Sequence, residues 1–454
     1  MAVIWAKKAL LSEGWAEAVL IETSPEGTIR SVCSDRPPEG YRTGLLLPSP
    51  ANIHSHAFQR SMAGLTERRG PDKKDNFWTW RSLMFRFLDR LTPGHIEDIA
   101  AFVQMEMLEA GYAASVEFHY LHHQADGTPY DRLSEMSERI VAAAATTGAG
   151  LTLLPVLYQY GGCDRRPLGP GQIRFGNDFE RFARLVEEVG SNMGGLPADC
   201  RLGVAPHSLR AVAQEDIERL ERLAPSGPIH MHLAEQQEEV DEVLECHGAR
   251  PVTWFLDNCH VSPRWCLVHC TRMDKQEAAR LAGTGAVAGL CPVTEANLGD
   301  GIFEAQHWFG NRGAIAIGSD SNIRISLTEE LRALEYSQRL RDRARAVLSQ
   351  PDRSTGRFLF EAISKGGATA AKRTSGRIEE GVLADLLALD IDSLCLAGLA
   401  GDSLLDSYIF TGDDRLVTDV WAAGRHLVRN GQHVKRDQIV EKYRQTMSEL
   451  RDAL

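Results

Sequence analysis

The sequence predicts an α/β protein: a (β/α)8 TIM-like barrel carrying a small β-sandwich domain formed from both chain termini. Three observations carry this expectation. From about residue 49, eight short apolar runs recur, with helix-like stretches between most of them. Such alternation argues for a parallel sheet, and eight units over roughly 250 residues or more fit a closed barrel. No run is followed by the Gly-rich phosphate loop of a doubly wound sheet, and strand-like runs without helices stand at both chain ends.

Residues 1–48 read as short strands at 3–5, 18–21 and 28–32, punctuated by Gly14, Pro25-Glu26-Gly27 and Pro37-Pro38-Glu39-Gly40. They are too few to bury a core and need partner strands. Residues 49–376 are the expected barrel. Its first run ends in His54 and His56, and the others lie at 114–120, 151–157, 201–207, 229–232, 265–269, 286–291 and 314–318. Helical patterns fall at about 96–110, 132–147, 178–189, 328–348 and 358–371. Residues 377–454 return to strand character at 381–390 and 417–428, the expected partners of the N-terminal strands. They end in a charged amphipathic helix at about 435–453.

With 454 residues, 43% of them hydrophobic, the chain can bury a large core without disulfides or a structural metal. A net charge of -12 argues against a nucleic-acid duplex or an anionic membrane as partner. An anionic small-molecule substrate would have to meet local positive charge. No apolar run reaches transmembrane length, and the N-terminus lacks the apolar core of a signal peptide. Nine scattered cysteines are expected to be reduced and mostly buried, in a cytoplasmic protein.

The polar residues gather where a barrel places its chemistry, at the C-terminal ends of strands. His54 and His56 are two apart, so a strand aims both imidazoles to one side, and neutral imidazole suits zinc and other transition ions. The fifth run ends His232-Leu233-Ala234-Glu235, the sixth ends at His269, and the eighth ends Gly318-Ser319-Asp320-Ser321-Asn322. One such histidine alone reads as a core residue; four histidines and an aspartate at four strand ends do not. His54, His56, His232 and Asp320 make a catalytic type of metal shell with one position left for water. His269 is either a further ligand or the group that orients that water. No lysine occurs between Lys74 and Lys275, so a carboxylated lysine bridging two metals is not available. One divalent ion is expected, zinc being the best suited. Cys259, Cys266, His269 and Cys270 fit no compact zinc-finger spacing.

The segments NIHSHAFQRSMAGLTE, SVEFHYLHH, APHSLRAV, HMHLAEQ, LVHCTRM, GLCPVTEANLGDG, GSDSN and EEGVLADLLALD resemble the amidohydrolase superfamily. Through HAFQR, EFHYLHH and APHSLR the chain is most similar to its formimidoylglutamate deiminases. The resemblance runs over essentially the whole chain. It implies hydrolysis of N-formimino-L-glutamate to N-formyl-L-glutamate and ammonia, a step of histidine degradation. It also implies roles: Asp320 takes the water's proton, His269 holds the attacking oxygen, and Glu235 protonates the imino nitrogen. Gln59, Tyr120 and His207 match the substrate-binding positions. Arg210 is the best candidate for the side-chain carboxylate, and Arg81, with Arg86 as the alternative, for a further carboxylate contact. His119, His122 and His123 are expected to pack and hydrogen-bond in the core. Residues 158–177 are a candidate lid, and a homodimer is expected. Competing readings are a deaminase of a ring amidine such as guanine, a related purine or a pterin, the N-formimino-L-aspartate variant, and a non-catalytic barrel scaffold.

Overall fold

The computed structural model describes residues 2–67 and 77–452. Eight strand positions form the barrel: Ala51–Ser55, Ala114–His119, Gly150–Leu157, the split pair Arg201–Leu202 and Ala205–Pro206, Ile229–Leu233, Trp265–His269, Val287–Leu290 and Ala314–Ile317. All neighbours pair in parallel, as Ala114 with Gly150 and Ile229 with Trp265. Positions one to four make one hydrogen-bonded arc and five to eight another. Bridges between Val204 and Ile229, and between Ser55 and Asp320, join the arcs into a ring. Strand residues are buried almost throughout, with apolar runs such as residues 151–157 inside the ring of helices. The fourth strand breaks at Gly203, where a Cβ would lie 2.5 Å from both Leu154 and the Pro228 carbonyl.

The terminal strands form one hydrogen-bonded sheet of eight, which is how the expected two-ended β domain is realised. The strand Tyr41–Pro48 lies at its centre. It runs parallel to Val3–Leu11 and antiparallel to Leu386–Leu389, with Leu47 opposite Leu387. The apolar run 44–48 therefore belongs to this sheet, and the barrel begins at Ala51. Ile4, Ala6, Val19, Ile21, Leu46, Leu386 and Trp421 give the sheet a core drawn from both ends of the chain. Arg373 locks sheet to barrel. Its buried guanidinium reaches Asp385 at 2.9 Å and Asp199 at 3.0 Å.

The expected helices are present as Pro93–Glu109, Glu135–Thr147, Phe179–Asn192, Leu327–Asp342, Thr355–Ala370 and Arg436–Asp452. The first has a Thr92 cap and proline at its start. The pattern at 328–348 stops at Asp342 because Arg343 turns left-handed, with φ +54°. Residue 453 of the expected last helix lies outside the described residues. Among the described residues, no helix is long and apolar enough to cross a membrane. All nine cysteines are unbonded, but Cys33 and Cys246 are exposed where mostly buried thiols were expected.

Candidate active site

The ladder between the first and eighth strands brings the sequence motifs together. The amide of His56 donates to the Asp320 carbonyl at 3.0 Å, and the Asp320 amide donates to the His54 carbonyl at 2.9 Å. Beneath them, Asn52 donates to Ser319 at 2.7 Å, Ser319 to Asn322 at 2.6 Å, and Asn322 to Ser55 at 3.1 Å. Gly318 permits this approach, since a Cβ there would stand 2.6 Å from the His54 nitrogen. The turns after the strands are strained: Ala234, His269, Cys270, Asp320 and Asn322 all have positive φ. Such conformations persist only where the surroundings enforce them, and they cluster at functional sites.

Nε2 of His54 lies 3.1 Å from Nε2 of His56 and 3.1 Å from Nε2 of His232. Nδ1 of His56 faces the Phe118 carbonyl at 2.9 Å, and Nδ1 of His232 faces the His207 carbonyl at 3.1 Å. A carbonyl only accepts, so those Nδ1 atoms carry the protons and both Nε2 atoms present lone pairs. Burial keeps the rings neutral, pushing His56 down to about 3 and His54 and His232 well below the usual range. A single N–H on His54 can satisfy one facing lone pair but not both. A cation at the shared point satisfies all three. Oδ1 of Asp320 closes the group at 3.3 Å from His56 and 3.5 Å from His54. Two donors about 2.1 Å from one zinc ion stand roughly 2.9–3.4 Å apart at octahedral to tetrahedral angles. The donor set fits a metal.

His269 stands on the other side of Asp320, its Nε2 3.9 Å from Oδ2 and 3.8 Å from Oε1 of Glu235. Glu295 Oε1 faces its Nδ1 at 3.3 Å and also accepts from the Cys291 amide at 2.8 Å. Burial alone would depress His269. The carboxylates of Glu235, Glu295 and Asp320 outweigh it and hold the imidazole well above its ordinary value. Burial pushes Asp320 up to about 7, against the pull of His269.

One cavity is lined by Gln59, Arg81, Tyr120, His207 and Arg210, together with His56, His232, Glu235, His269 and Asp320. Every residue expected to hold the metal, act in catalysis or bind substrate thus lies in it, except His54, which is fully buried behind His56 and His232, and Arg86, the alternative to Arg81. Gln59 donates to the Tyr120 hydroxyl at 2.9 Å, and its buried Oε1 has no protein donor. Arg81 donates to the Tyr158 hydroxyl at 2.9 Å, whereas Arg86 is exposed and lies outside the cavity lining. His122 and His123 bond the carbonyls of Val156 and Gly176, and with His119 they are buried away from the cavity.

The segment 158–177 is fastened at both ends. Gln159 and Tyr160 donate to Ala211, and the buried Arg174 guanidinium caps the carbonyls of Leu88, Leu91 and His123. Its middle is tied as well, by Arg165 to Glu215 at 2.8 Å and by Arg166 to Glu242 at 3.0 Å. Sequence reading missed Tyr158, Phe175 and Trp80 in the lining, and Glu295 behind His269. Tyr158 directly follows the third barrel strand, so the strand-end rule that found His207 also applies to it. Glu295 carried no such signal.

The Amidohydrolase family matches residues 45–427, and "Formimidoylglutamate deiminase HutF, N-terminal domain" matches residues 1–41. The formimidoylglutamate deiminase of Pseudomonas aeruginosa is 46% identical over 100% of both chains. A 5-methylthioadenosine/S-adenosylhomocysteine deaminase of Natronomonas pharaonis is 26% identical over 77% of this chain and 74% of its own. A solved amidohydrolase from Brucella melitensis superposes with a TM-score of 0.94 at 46% identity, covering 99% of this chain and 100% of that one. An adenosine deaminase from Xanthomonas campestris with bound zinc shares the fold, with a TM-score of 0.82 at 22% identity over 99% and 98% of the two chains. The chain belongs to the amidohydrolase family, and within it to the group of the formimidoylglutamate deiminases.

Proposed function

We propose that this protein hydrolyses N-formimino-L-glutamate to N-formyl-L-glutamate and ammonia, a step of histidine degradation, with one zinc ion held by His54, His56, His232 and Asp320. One observation carries the reading beyond its family. The cavity beside the histidine cluster holds two arginines, Arg81 and Arg210, in a chain of net charge -12. That pairing suits a small substrate with two carboxylates.

When bound, the ion lowers the pKa of a water from 15.7 to roughly 7, which supplies a nucleophile at neutral pH. The remaining work falls to this chain's side chains. Asp320 takes the proton of the attacking water. His269, oriented by Glu295, donates to the oxygen as the amidine carbon becomes tetrahedral. Glu235 delivers a proton to the imino nitrogen, the proton held by Asp320 follows as the carbon–nitrogen bond breaks and ammonia leaves, and the remaining hydroxyl proton of the tetrahedral centre returns to Glu235 as the carbonyl forms. Arg210 and Arg81 receive the two carboxylates, with His207 beside Arg210. Gln59, positioned by Tyr120, offers Oε1 to a substrate N–H. The complete set of metal donors argues against a non-catalytic scaffold. The enzyme acts as a homodimer in the cytoplasm, and light scattering should return twice the mass of one chain.

A substrate panel tests the activity. Ammonia should be released from N-formimino-L-glutamate and not from guanine, and turnover of guanine alone would overturn the reading. N-Formimino-L-aspartate, one methylene shorter, should be disfavoured by about 1–3 kcal/mol.

A further inference from the structure

Glu239 lies in the first turn of the helix Gln237–His247, at the end of a polar run that reads as a solvated helix start. The structure buries it completely, with 0% of its surface exposed. A buried carboxylate must be matched by donors or positive charge, and both are present. Oε1 accepts from the Ala234 amide at 3.1 Å and Oε2 from the Glu235 amide at 3.0 Å. These amides form the turn that ends the fifth barrel strand. Ala234 has φ +51° there, a left-handed conformation that disfavours a residue with a Cβ. From the opposite side the Thr271 hydroxyl donates to the Glu235 carbonyl at 2.7 Å. Glu235 is thus aimed into the cavity by a turn clamped from both sides.

The charge of Glu239 also acts on Arg210. Burial works against the Arg210 cation, and Glu239 is foremost among the neighbours that offset it. Arg210 in turn is foremost among the groups that offset the burial of Glu239. Arg210 follows the fourth barrel strand and Glu235 follows the fifth, so a single carboxylate holds the turn after one strand by hydrogen bonds and offsets the burial of a cation after its neighbour.

We propose that Glu239 is a positioning residue that couples the two ends of the substrate, clamping the turn that aims Glu235 at the reacting nitrogen while its charge sustains that of Arg210, which meets a substrate carboxylate. This rests on the deiminase reading above. Wild-type turnover of N-formimino-L-glutamate tests that reading, and the Glu239 variants test the inference.

Two variants of the zinc-loaded full chain separate the two tasks. In Glu239→Gln the amide accepts from one backbone N–H only and carries no charge. We expect kcat to fall and KM to rise, each by ~10–100-fold, with zinc content unchanged. Glu239→Asp keeps the charge but is one methylene too short to reach both amides. Here kcat should fall by ~10-fold or more while KM stays within about twofold. In an Arg210→Met background, Glu239→Gln should leave KM where Arg210→Met alone puts it, because the two act on one contact. A merely structural role would reduce the active fraction, lowering kcat without moving KM. An unchanged KM in Glu239→Gln, or a KM effect of equal size with and without Arg210, would overturn the proposal. If Glu239→Gln fails to fold, as judged by circular dichroism, Glu239→Asp decides alone, with kcat counted per bound zinc so that a loss of active fraction does not register: lowered kcat per zinc at wild-type KM supports the proposal, and unchanged kcat per zinc overturns it.

Discussion

Asp320 touches both halves of the proposed chemistry, with Oδ1 toward His54 and His56 and Oδ2 toward His269. Asp320→Asn should therefore lower kcat by at least about 10³-fold and weaken zinc retention. Near-normal kcat in a steady-state assay would contradict its role. Arg210→Met should lower kcat/KM for the dicarboxylate by roughly 10²–10³-fold, about 3–4 kcal/mol, with zinc content by atomic absorption unchanged. Unchanged kinetics would place the carboxylate elsewhere. At this scale the sequence was readable wherever a residue's position follows from its place on a strand. His54, His56, His232, His269 and Asp320 all lie at C-terminal strand ends. Arg81 could not be separated from Arg86 by sequence alone, because only the packing of their helix decides which one faces the cavity. Glu239 and Glu295 were hidden for a related reason: their partners are backbone amides and a ring nitrogen brought close by turns with left-handed residues.

Strands one and eight work as a unit, and Gly318 sets how closely they approach. A Cβ there would meet the nitrogen, Cβ and carbonyl oxygen of His54 at 2.6, 2.7 and 2.9 Å. Gly318→Ala should force the strands apart, costing about 1–3 kcal/mol in urea unfolding and displacing His54. Zinc affinity should fall with it, as read by competition with a chelator. Unaltered affinity would mean that the metal donors do not depend on this contact. Most strands and helices followed from apolar periodicity. The fourth strand is split in the structure where its apolar pattern runs on, since the close approach of Leu154 and Pro228 at Gly203 is a tertiary fact. The run 44–48 falls within the N-terminal stretch expected in the β domain, and it pairs there with Leu386–Leu389.

Across the whole molecule, the barrel and the terminal sheet meet at Arg373, Asp199, Asp385 and Arg425. Arg425 adds contacts to Asp199 at 2.7 and 2.8 Å. Burial raises the Asp199 carboxyl, but the hydrogen bonds and charges of Arg425 and Arg373 outweigh it and hold its pKa below the usual value. A depressed carboxylate contributes stability above its unfolded pKa and loses it as pH falls through the folded one. Acid should therefore weaken this junction in the range below about pH 4. Arg373→Met leaves the facing carboxylates partly uncompensated and should cost about 3–5 kcal/mol in urea unfolding. It should also move the acid-unfolding midpoint to higher pH. Equal stability with an unmoved midpoint would show that the junction does not lock sheet to barrel. The partnership of the two chain ends was legible because neither end carries enough apolar strand to bury a core alone. The ion network was not, since Asp199 is 174 residues from Arg373.

The central claim is that one metal ion in this barrel serves the hydrolysis of a two-carboxylate amidine. Ammonia release from N-formimino-L-glutamate, measured while metal-stripped protein is titrated with zinc, tests it most directly. The account predicts activity that rises from baseline and levels off at one ion per chain. Full activity without added metal, a plateau at two ions, or no ammonia at saturation would contradict it.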